Sequence, residues 1–256
     1  MHIVVFTRST PDTAAKVEVD SSGRVGWGDA ALIVNPWDEY ALEEAITRAK
    51  DAGGKVTVVA LGGETHADAL KHALAMGVDE AVRVDDPALE GADSLAYAIT
   101  AAAAARKIGA TLIFAGKESI DVNSDQHLVQ LARKLGWPYL SNVAHISALG
   151  DDRVTVERLT DGGKQIITSR VPAVLTVTKG INEPRYPSFI GIRKASKAVI
   201  PVWSLADLEV SLPPARTAVT AFKNLPARET KTEMLTGTPA EQAAALVDRL
   251  IEEKVL

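Results

Sequence analysis

Residues 55 to 61, Lys-Val-Thr-Val-Val-Ala-Leu, form a short and nearly continuous apolar run that is rich in β-branched side chains. Residues 2 to 7 and 111 to 115 form two further runs of the same kind. Such runs are typical of strands that are buried on both faces of a parallel sheet. What connects the three runs therefore decides the fold.

Segments with apolar residues at helical spacing separate and follow these runs. They cover residues 38 to 52, 64 to 76 and 92 to 107. Strands that alternate with helices predict right-handed crossovers and a parallel sheet. We therefore expect the first half of the chain to be an α/β domain of the nucleotide-binding kind.

The second half adds elements of another kind. Residues 153 to 158 and 164 to 170 flank an Asp-Gly turn, which predicts a β-hairpin with positive φ angles at Asp161 and Gly162. We expect this hairpin to add antiparallel strands to the parallel sheet. Two more apolar runs predict further strands at residues 173 to 178 and 198 to 203.

The C-terminal part looks like an extended arm that ends in a helix. Residues 212 to 236 lose all periodicity, and Thr238-Pro239-Ala240-Glu241 then combines an N-cap, a proline at the first helical position and a capping-box glutamate. We therefore divide the chain into a domain at residues 1 to 205 and an arm at residues 206 to 256. The arm's helix needs a surface to dock on, either its own domain or a second subunit.

The composition is that of a globular protein and removes several function classes. The chain has 256 residues, of which 46% are hydrophobic and 24% charged, which excludes a disordered or membrane-embedded protein. A net charge of -5 disfavours nucleic-acid binding. With no cysteine and with five scattered histidines, thiolate catalysis and metal binding are not expected, so a redox role would require a cofactor held in another way.

The N-terminal residues lack the basic region, apolar core and cleavage site of a secretory signal. No run approaches the ~18 apolar residues of a membrane span. We therefore expect a cytoplasmic protein without membrane insertion.

Three segments are expected at the carboxyl edge of the sheet, where open α/β folds bind ligands. They are Phe6-Thr7-Arg8, Leu61-Gly62-Gly63 and residues 116 to 127. In the third, Ser124 is a plausible N-cap of a helix that ends near Leu135, and the helix start would favour an anion. A simple strand-to-helix turn explains the same residues, because no P-loop or Gly-x-Gly-x-x-Gly motif is present.

Catalytic constellations are missing from the sequence. No serine lies in a Gly-x-Ser-x-Gly motif, and no carboxylate pair stands out as an acid and base couple. Residues 179 to 194, in contrast, form a long connection that carries Tyr186, Phe189 and Ile190, which predicts a contact surface for a partner protein. The pattern indicates a carrier subunit rather than an enzyme.

Four blocks of sequence together resemble the β subunits of electron-transfer flavoproteins. They are Asn35-Pro36-Trp37-Asp38-Glu39 with the following Ala41-Leu42-Glu43-Glu44-Ala45, Ala75-Met76-Gly77-Val78-Asp79, Gly116-Lys117-Glu118-Ser119-Ile120-Asp121 with Leu135-Gly136-Trp137-Pro138, and Asn182-Glu183-Pro184-Arg185-Tyr186 with Lys194-Ala195. The resemblance covers roughly residues 2 to 200 and implies an adenine nucleotide α-hydrolase-like fold. It also implies a heterodimer with an α subunit that holds most of an FAD, and a structural AMP in this chain.

The resemblance also assigns residues. It implies that the AMP contacts come from Phe6, Arg8, Asn35, Pro36, Trp37, Asp38, Gly62, Gly116, Lys117, Glu118, Ser119, Ile120, Asp121, Val122, Asn123, Ser124, Asp125, Gln126 and His127. Residues 121 to 127 depart from the family's Asp-Asp-Asp-x-Asn-Gln-Thr pattern, so individual side-chain roles there stay open while backbone contacts are expected. Trp37 falls where the family has an aromatic residue near the flavin, although a helix-entry contact explains it as well.

The resemblance implies that this subunit takes electrons from acyl-CoA or other dehydrogenases to a quinone oxidoreductase or similar acceptor. The partner-recognition residues it implies are Arg185, Tyr186, Phe189, Ile190 and Lys194, with Phe189 at the position of an apolar anchor.

Other readings remain open. In bifurcating members of the family a second FAD replaces AMP, and residues 91 to 94 resemble those members. Residues 157 to 161 lack their Asp-Arg-Asp pattern, so we expect AMP. A stand-alone nucleotide-binding enzyme and a stress-type sensor are further alternatives.

Overall fold

The structure, a computed structural model, describes residues 1–123, 126–226 and 232–255. Contacts divide the chain into two units, Met1–Phe222 and Lys223–Leu256. The strands in the described residues are β1 His2–Thr7, β2 Ser9–Pro11, β3 Glu18–Val19, β4 Val25–Gly26, β5 Leu32–Val34, β6 Lys55–Leu61, β7 Glu80–Val84, β8 Leu112–Gly116, β9 Tyr139–Leu149, β10 Arg153–Thr160, β11 Gly163–Arg170, β12 Ala173–Val177 and β13 Val202–Trp203. The α-helices are α1 Pro36–Asp51, α2 Ala67–Met76, α3 Ser94–Ile108, α4 Gln126–Leu135, α5 Phe189–Ala195 and α6 Pro239–Glu252.

The first unit is built on one large sheet. Its strand order is β11-β10-β9-β12-β8-β1-β6-β7-β13. The strands from β9 to β13 in this order pair in parallel, and β10 pairs antiparallel with both β9 and β11. The predicted α/β fold, a parallel sheet with an added antiparallel hairpin, is confirmed.

The central strands are buried on both faces, which explains their continuous apolar sequence. In β1, Ile3 and Val5 pack on one side with residues of α1 and α2, while Val4 and Phe6 pack on the other side with α3 and α4. Residues 101 to 105 of α3 are all buried alanines, whose small side chains allow close packing. Both layers bring helix ends to the carboxyl edge of the sheet.

The second unit contains α6, which begins as the sequence predicts. The Thr238 hydroxyl accepts a hydrogen bond from the Glu241 N–H, and the Glu241 carboxylate accepts one from the Thr238 N–H. Pro239 occupies the first helical position. None of the helices in the described part of the chain combines the length and the apolar composition needed to span a bilayer.

Three details differ from the expectations. In the β10–β11 hairpin the positive φ, 119°, lies at Gly163 rather than at Asp161 or Gly162. Asp161 and Gly162 form the two-residue turn, and Gly163 is the first residue after it that pairs with β10, opposite Thr160. The expected strand at 198 to 203 is reduced to β13, since Pro201 has no N–H to donate. Residues 179 to 194 are not wholly irregular, because α5 begins within them, capped by Ser188.

Candidate functional site

A pocket of about 540 Å³ lies at the carboxyl edge of the sheet, within the first unit. Its volume falls in the range of cofactor sites, ~300–1,000 Å³. The walls combine apolar and polar side chains from β1, β6 and β8 with helix starts and loops. The described lining consists of Phe6, Thr7, Arg8, Asn35, Asp38, Leu61, His66, Gly91, Ala92, Asp93, Ser94, Tyr97, Ala115, Gly116, Glu118, Ser119, Val122, Gln126, His127, Leu128, Thr217, Ala218 and Val219.

Buried Asp38 fixes the floor of this pocket. Its carboxylate accepts hydrogen bonds from the Gly116 N–H at 2.9 Å and from the Thr7 hydroxyl at 3.1 Å. A Cβ at position 116 would lie 2.7 Å from Asp38 Oδ1 and closer still to Trp37, so only glycine allows this approach. The start of α1 is thereby joined to the ends of β1 and β8.

Asn35, which is also buried, shapes the loop after β8. Its Nδ2 donates to the Glu118 carbonyl at 3.0 Å, and its Oδ1 accepts from the Ile120 N–H at 3.2 Å. The Ser119 hydroxyl donates to the Asp121 carboxylate. The side chain of Asn35 therefore acts as a backbone partner for the loop and is not a free group facing the pocket.

Arg8 is the residue with a permanent positive charge among the described lining residues. One of its terminal nitrogens contacts Asp121 at 2.9 Å. Its Nε is buried and has no hydrogen-bond partner within the described residues. A bound acceptor would satisfy this donor.

Two neutral histidines lie beside Arg8. Burial, reinforced by the positive charge of Arg8, lowers the pKa of His66 to about 4 and that of His127 to about 4. The His66 Nδ1 accepts a hydrogen bond from the Ser9 N–H at 3.1 Å, which places the imidazole proton on Nε2. At neutral pH both histidines add uncharged ring surface to the pocket, His66 keeps its proton on Nε2, and Arg8 provides a positive charge.

Another part of the pocket wall was not among the predicted nucleotide-binding residues. Asp93 caps α3 by accepting from the Ala96 N–H at 3.0 Å, and it also accepts from the Arg216 N–H at 2.8 Å. This second bond brings residues 217 to 219 to the pocket wall. Residues 217 to 219 lie in the predicted arm, and their contacts group them with the first unit.

The structure gathers most of the predicted nucleotide residues in one place. Phe6, Arg8, Asn35, Asp38, Gly116, Glu118, Ser119, Val122, Gln126 and His127 line the pocket. Pro36, Trp37, Gly62, Lys117, Ile120, Asp121 and Asn123 lie outside its described lining, in the segments that carry the lining residues. Ser124 and Asp125 lie outside the described residues.

The ring of Trp37 forms a cation–π contact with Lys117 of its own chain. The Lys117 ammonium group lies 4.6 Å from the centre of the Trp37 ring and 2.7 Å from a Glu118 carboxylate oxygen. A cation over an aromatic face contributes roughly 0.5–1 kcal/mol at such exposure. The contact joins the loop after β8, which carries Lys117, to the first turn of α1, which carries Trp37.

A second surface stands out in residues 179 to 194, here called the contact segment. Tyr186, Phe189 and Ile190 are 95%, 93% and 84% exposed. Large apolar side chains grouped at such exposure are typical of a protein interaction site. Arg185, also predicted there, directs its guanidinium to Glu43 of its own chain, and Lys194 lies exposed in the last turn of α5.

Comparison with known proteins places these surfaces in context. A family model described as "Electron transfer flavoprotein domain" matches residues 29–208. The chain is 36% identical to the electron transfer flavoprotein subunit beta of Thermoanaerobacterium thermosaccharolyticum, with all of both chains covered. It is 34% identical to that of Bacillus subtilis, over 99% of this chain and 98% of the other. It is 33% identical to the caffeyl-CoA reductase-Etf complex subunit CarD of Acetobacterium woodii, again over all of both chains.

The matched region includes the starts of α1 and α4, the loop after β8 and the contact segment. The full-length relatives extend the similarity through the C-terminal unit. Together the fold, the family match and the relatives show that the chain belongs to the electron transfer flavoprotein family, as a β subunit with a role in electron transfer.

Proposed function

We propose that this chain forms a heterodimer with an α subunit, that its pocket holds AMP, and that FAD lies mainly in the α subunit. The observation that carries the proposal is the pocket at the carboxyl edge of the sheet, which combines Arg8 with apolar walls. Electrons would pass from acyl-CoA or other dehydrogenases to a quinone oxidoreductase or similar acceptor. The cytoplasmic location expected from the sequence stays a prediction.

The residues present fit a nucleotide monophosphate. Phe6, Leu61 and Leu128 offer apolar surface suited to a base. Arg8 offers a permanent charge and a buried donor without a partner in the described residues, as a phosphate requires. Asp38 and Asn35 are already satisfied by the chain itself, so their role is to hold the loop whose backbone faces the ligand.

This subunit contributes binding and orientation in the proposal. A flavin, when bound in the heterodimer, supplies the redox chemistry. The β chain closes one side of the assembly and presents the contact segment to dehydrogenases. Phe189 is the expected anchor, because a large exposed aromatic side chain can bury more apolar area than its neighbours.

A second FAD in place of AMP is the alternative, and one observation favours it. Residues 91 to 94, which resemble bifurcating members, line the pocket. The relative CarD is named as a subunit of a caffeyl-CoA reductase-Etf complex, which indicates that similar chains serve in larger assemblies. The sequence of β10 lacks the corresponding bifurcating pattern, which supports AMP.

Counting nucleotides in the purified heterodimer tests both forms. The two subunits are expressed together, the complex is denatured, and flavin and AMP are quantified per heterodimer. One flavin and one AMP are expected. Two flavins without AMP would establish the alternative, and a colourless complex would overturn the proposed function.

A further inference from the structure

The base of the contact segment is held by a carboxylate of α1. Glu43 accepts hydrogen bonds from Arg185 Nε at 2.7 Å and from Arg185 Nη2 at 2.7 Å, one on each carboxylate oxygen. It also accepts from the backbone N–H of Arg185 at 3.1 Å. Such paired, charge-assisted bonds fix both the distance and the orientation of the two groups.

The neighbouring carboxylate holds the segment at a second point. Glu44 accepts from Asn182 Nδ2 at 3.0 Å, and the same nitrogen donates to the Tyr40 carbonyl at 3.0 Å. Arg48 balances the charge of Glu44 through a contact of 2.8 Å. Two consecutive acidic residues of α1, Glu43 and Glu44, therefore attach residues 185 and 182 of the contact segment to this helix.

A third contact lies beyond the exposed side chains. Gly191 approaches the carbonyl of Ala75, at the end of α2, so closely that a Cβ would overlap it. The Ser188 hydroxyl accepts from the Gly191 N–H at 3.0 Å and caps α5. Pro184 and Pro187 restrict the backbone between these contacts.

Glu43 is buried, and its charge therefore depends on the contact with Arg185. Glu43 is only 8% exposed, although it carries a charge. Burial by itself disfavours the charged form, but the hydrogen bonds from Arg185 outweigh it and leave the pKa of Glu43 below its usual value. The ion pair is therefore formed throughout the neutral range, and loss of either partner would leave a poorly satisfied group.

We propose that the bidentate contact between Glu43 and Arg185, here called the clamp, holds the contact segment in the conformation that partner proteins bind. Arg185 is then a positioning residue, since its guanidinium contacts its own chain, while Tyr186, Phe189 and Ile190 make the contact. A segment ordered before binding loses less conformational entropy on binding, which increases affinity without new contacts. This inference rests on the proposed docking function of the segment.

Hydrogen exchange in the assembled heterodimer tests the clamp directly. Glu43→Gln keeps the size of the side chain and removes its charge, and Arg185→Lys keeps the charge and removes the paired geometry. Both should speed amide exchange at position 185, at Gly191 and at Ile192 by about tenfold. Glu39→Gln is the matched control on the same helix, because Glu39 pairs with His72 and not with the segment. Unchanged exchange in both clamp variants would overturn the inference.

The functional consequence is tested with an acyl-CoA dehydrogenase that reduces the wild-type heterodimer. Glu43→Gln should raise the KM for the heterodimer by about fivefold or more and leave kcat and flavin content unchanged, because the tip residues are intact. Faster exchange with an unchanged KM would refute the role in docking. Phe189→Ala distinguishes the docking function of the segment from the role of the clamp. An unchanged KM in this variant would contradict docking by the segment. The exchange rates of the clamp variants would still show whether the clamp orders the segment.

Discussion

The carboxylate of Asp38 accepts a hydrogen bond from the backbone N–H of Gly116 over 2.9 Å. This bond joins the first turn of α1 to the end of β8, two elements that are 78 residues apart in sequence. Because Asp38 also binds the Thr7 hydroxyl, a single buried carboxylate holds three sides of the pocket floor. Several measurable properties of the protein depend on it.

Gly116→Ala should destabilise the chain and empty the pocket. The added methyl group would lie 2.7 Å from Asp38 Oδ1, which forces the helix start away from the strand and costs about 1–3 kcal/mol. Thermal unfolding and AMP content of the purified heterodimer measure both effects. Gly63→Ala is the control, because no atom lies within 4 Å of a Cβ there. Equal melting temperatures for the two variants would contradict the prediction.

Asp38→Asn should change how stability depends on pH. Burial raises the pKa of Asp38 from 3.8 to about 6 in the folded chain, and the hydrogen bond from Gly116 opposes that rise only in part. Between pH 4 and pH 6 the folded chain therefore keeps a proton on Asp38 that the unfolded chain has already released. The stability that comes from protonated Asp38 is fully present below pH 4 and is lost as the pH rises through 6. It amounts to at most about 3 kcal/mol. The unfolding free energy of wild type, relative to that of the variant, should therefore fall as the pH rises from 4 to 6. Chemical unfolding at several pH values measures this difference.

His66→Gln should act in the opposite direction over an overlapping range. Because burial lowers the pKa of His66 from 6.5 to about 4, the unfolded chain binds a proton that the folded chain does not. The contribution of His66 is fully present above pH 6.5 and is lost as the pH falls toward 4. The variant should therefore resist mild acid better than wild type, as measured by melting temperature at pH 5 and pH 7. A greater acid sensitivity in the variant would refute this assignment.

Phe189→Ala should weaken reduction of the heterodimer by its dehydrogenase. The side chain is 93% exposed, so its removal costs little stability but removes a large and wholly apolar exposed ring from the segment. We expect a loss of about tenfold or more in kcat/KM with unchanged flavin content. Val17→Ala serves as a control, as it shortens an exposed apolar side chain elsewhere. An identical rate at subsaturating heterodimer would contradict an anchoring role.

Two truncations should separate the body of the chain from its C-terminal unit. A chain that ends at Phe222 keeps the contacts of the first unit and should fold with a nearly unchanged melting temperature. A chain that ends at Leu205 loses the buried Leu208 and the bond from Arg216 to Asp93, and it should be less stable by roughly 2–5 kcal/mol. We expect neither to form a stable heterodimer, which gel filtration with the α subunit would show.

The sequence predicted the central strands of the sheet because burial on both faces imposes a simple pattern, but it did not predict β7 or β9. The apolar runs at β1, β6 and β8 can be recognised without any tertiary information. The carboxyl-edge rule then brings Arg8 and the loop after β8 to the same edge, where the structure has its pocket.

The parts that the sequence did not predict depend on long-range contacts. The pocket wall at residues 217 to 219 is brought in by a bond between Asp93 and Arg216, 123 residues apart, and nothing local indicates it. The short helix α5 contains a glycine and has only seven residues, so its intrinsic tendency to form is weak. Packing of Gly191 on Ala75 accompanies it, and the N-cap Ser188 was the one local signal.

The anchoring of the contact segment separates two sets of positions. The contacts with the body of the chain come from Asn182, Arg185 and Gly191, which lie on either side of the exposed positions 186, 189 and 190. Substitutions at exposed positions usually change stability by less than about 0.5 kcal/mol. In the proposed docking role, partner preference would therefore be redesigned in this chain by exchanging three side chains on a backbone that stays the same.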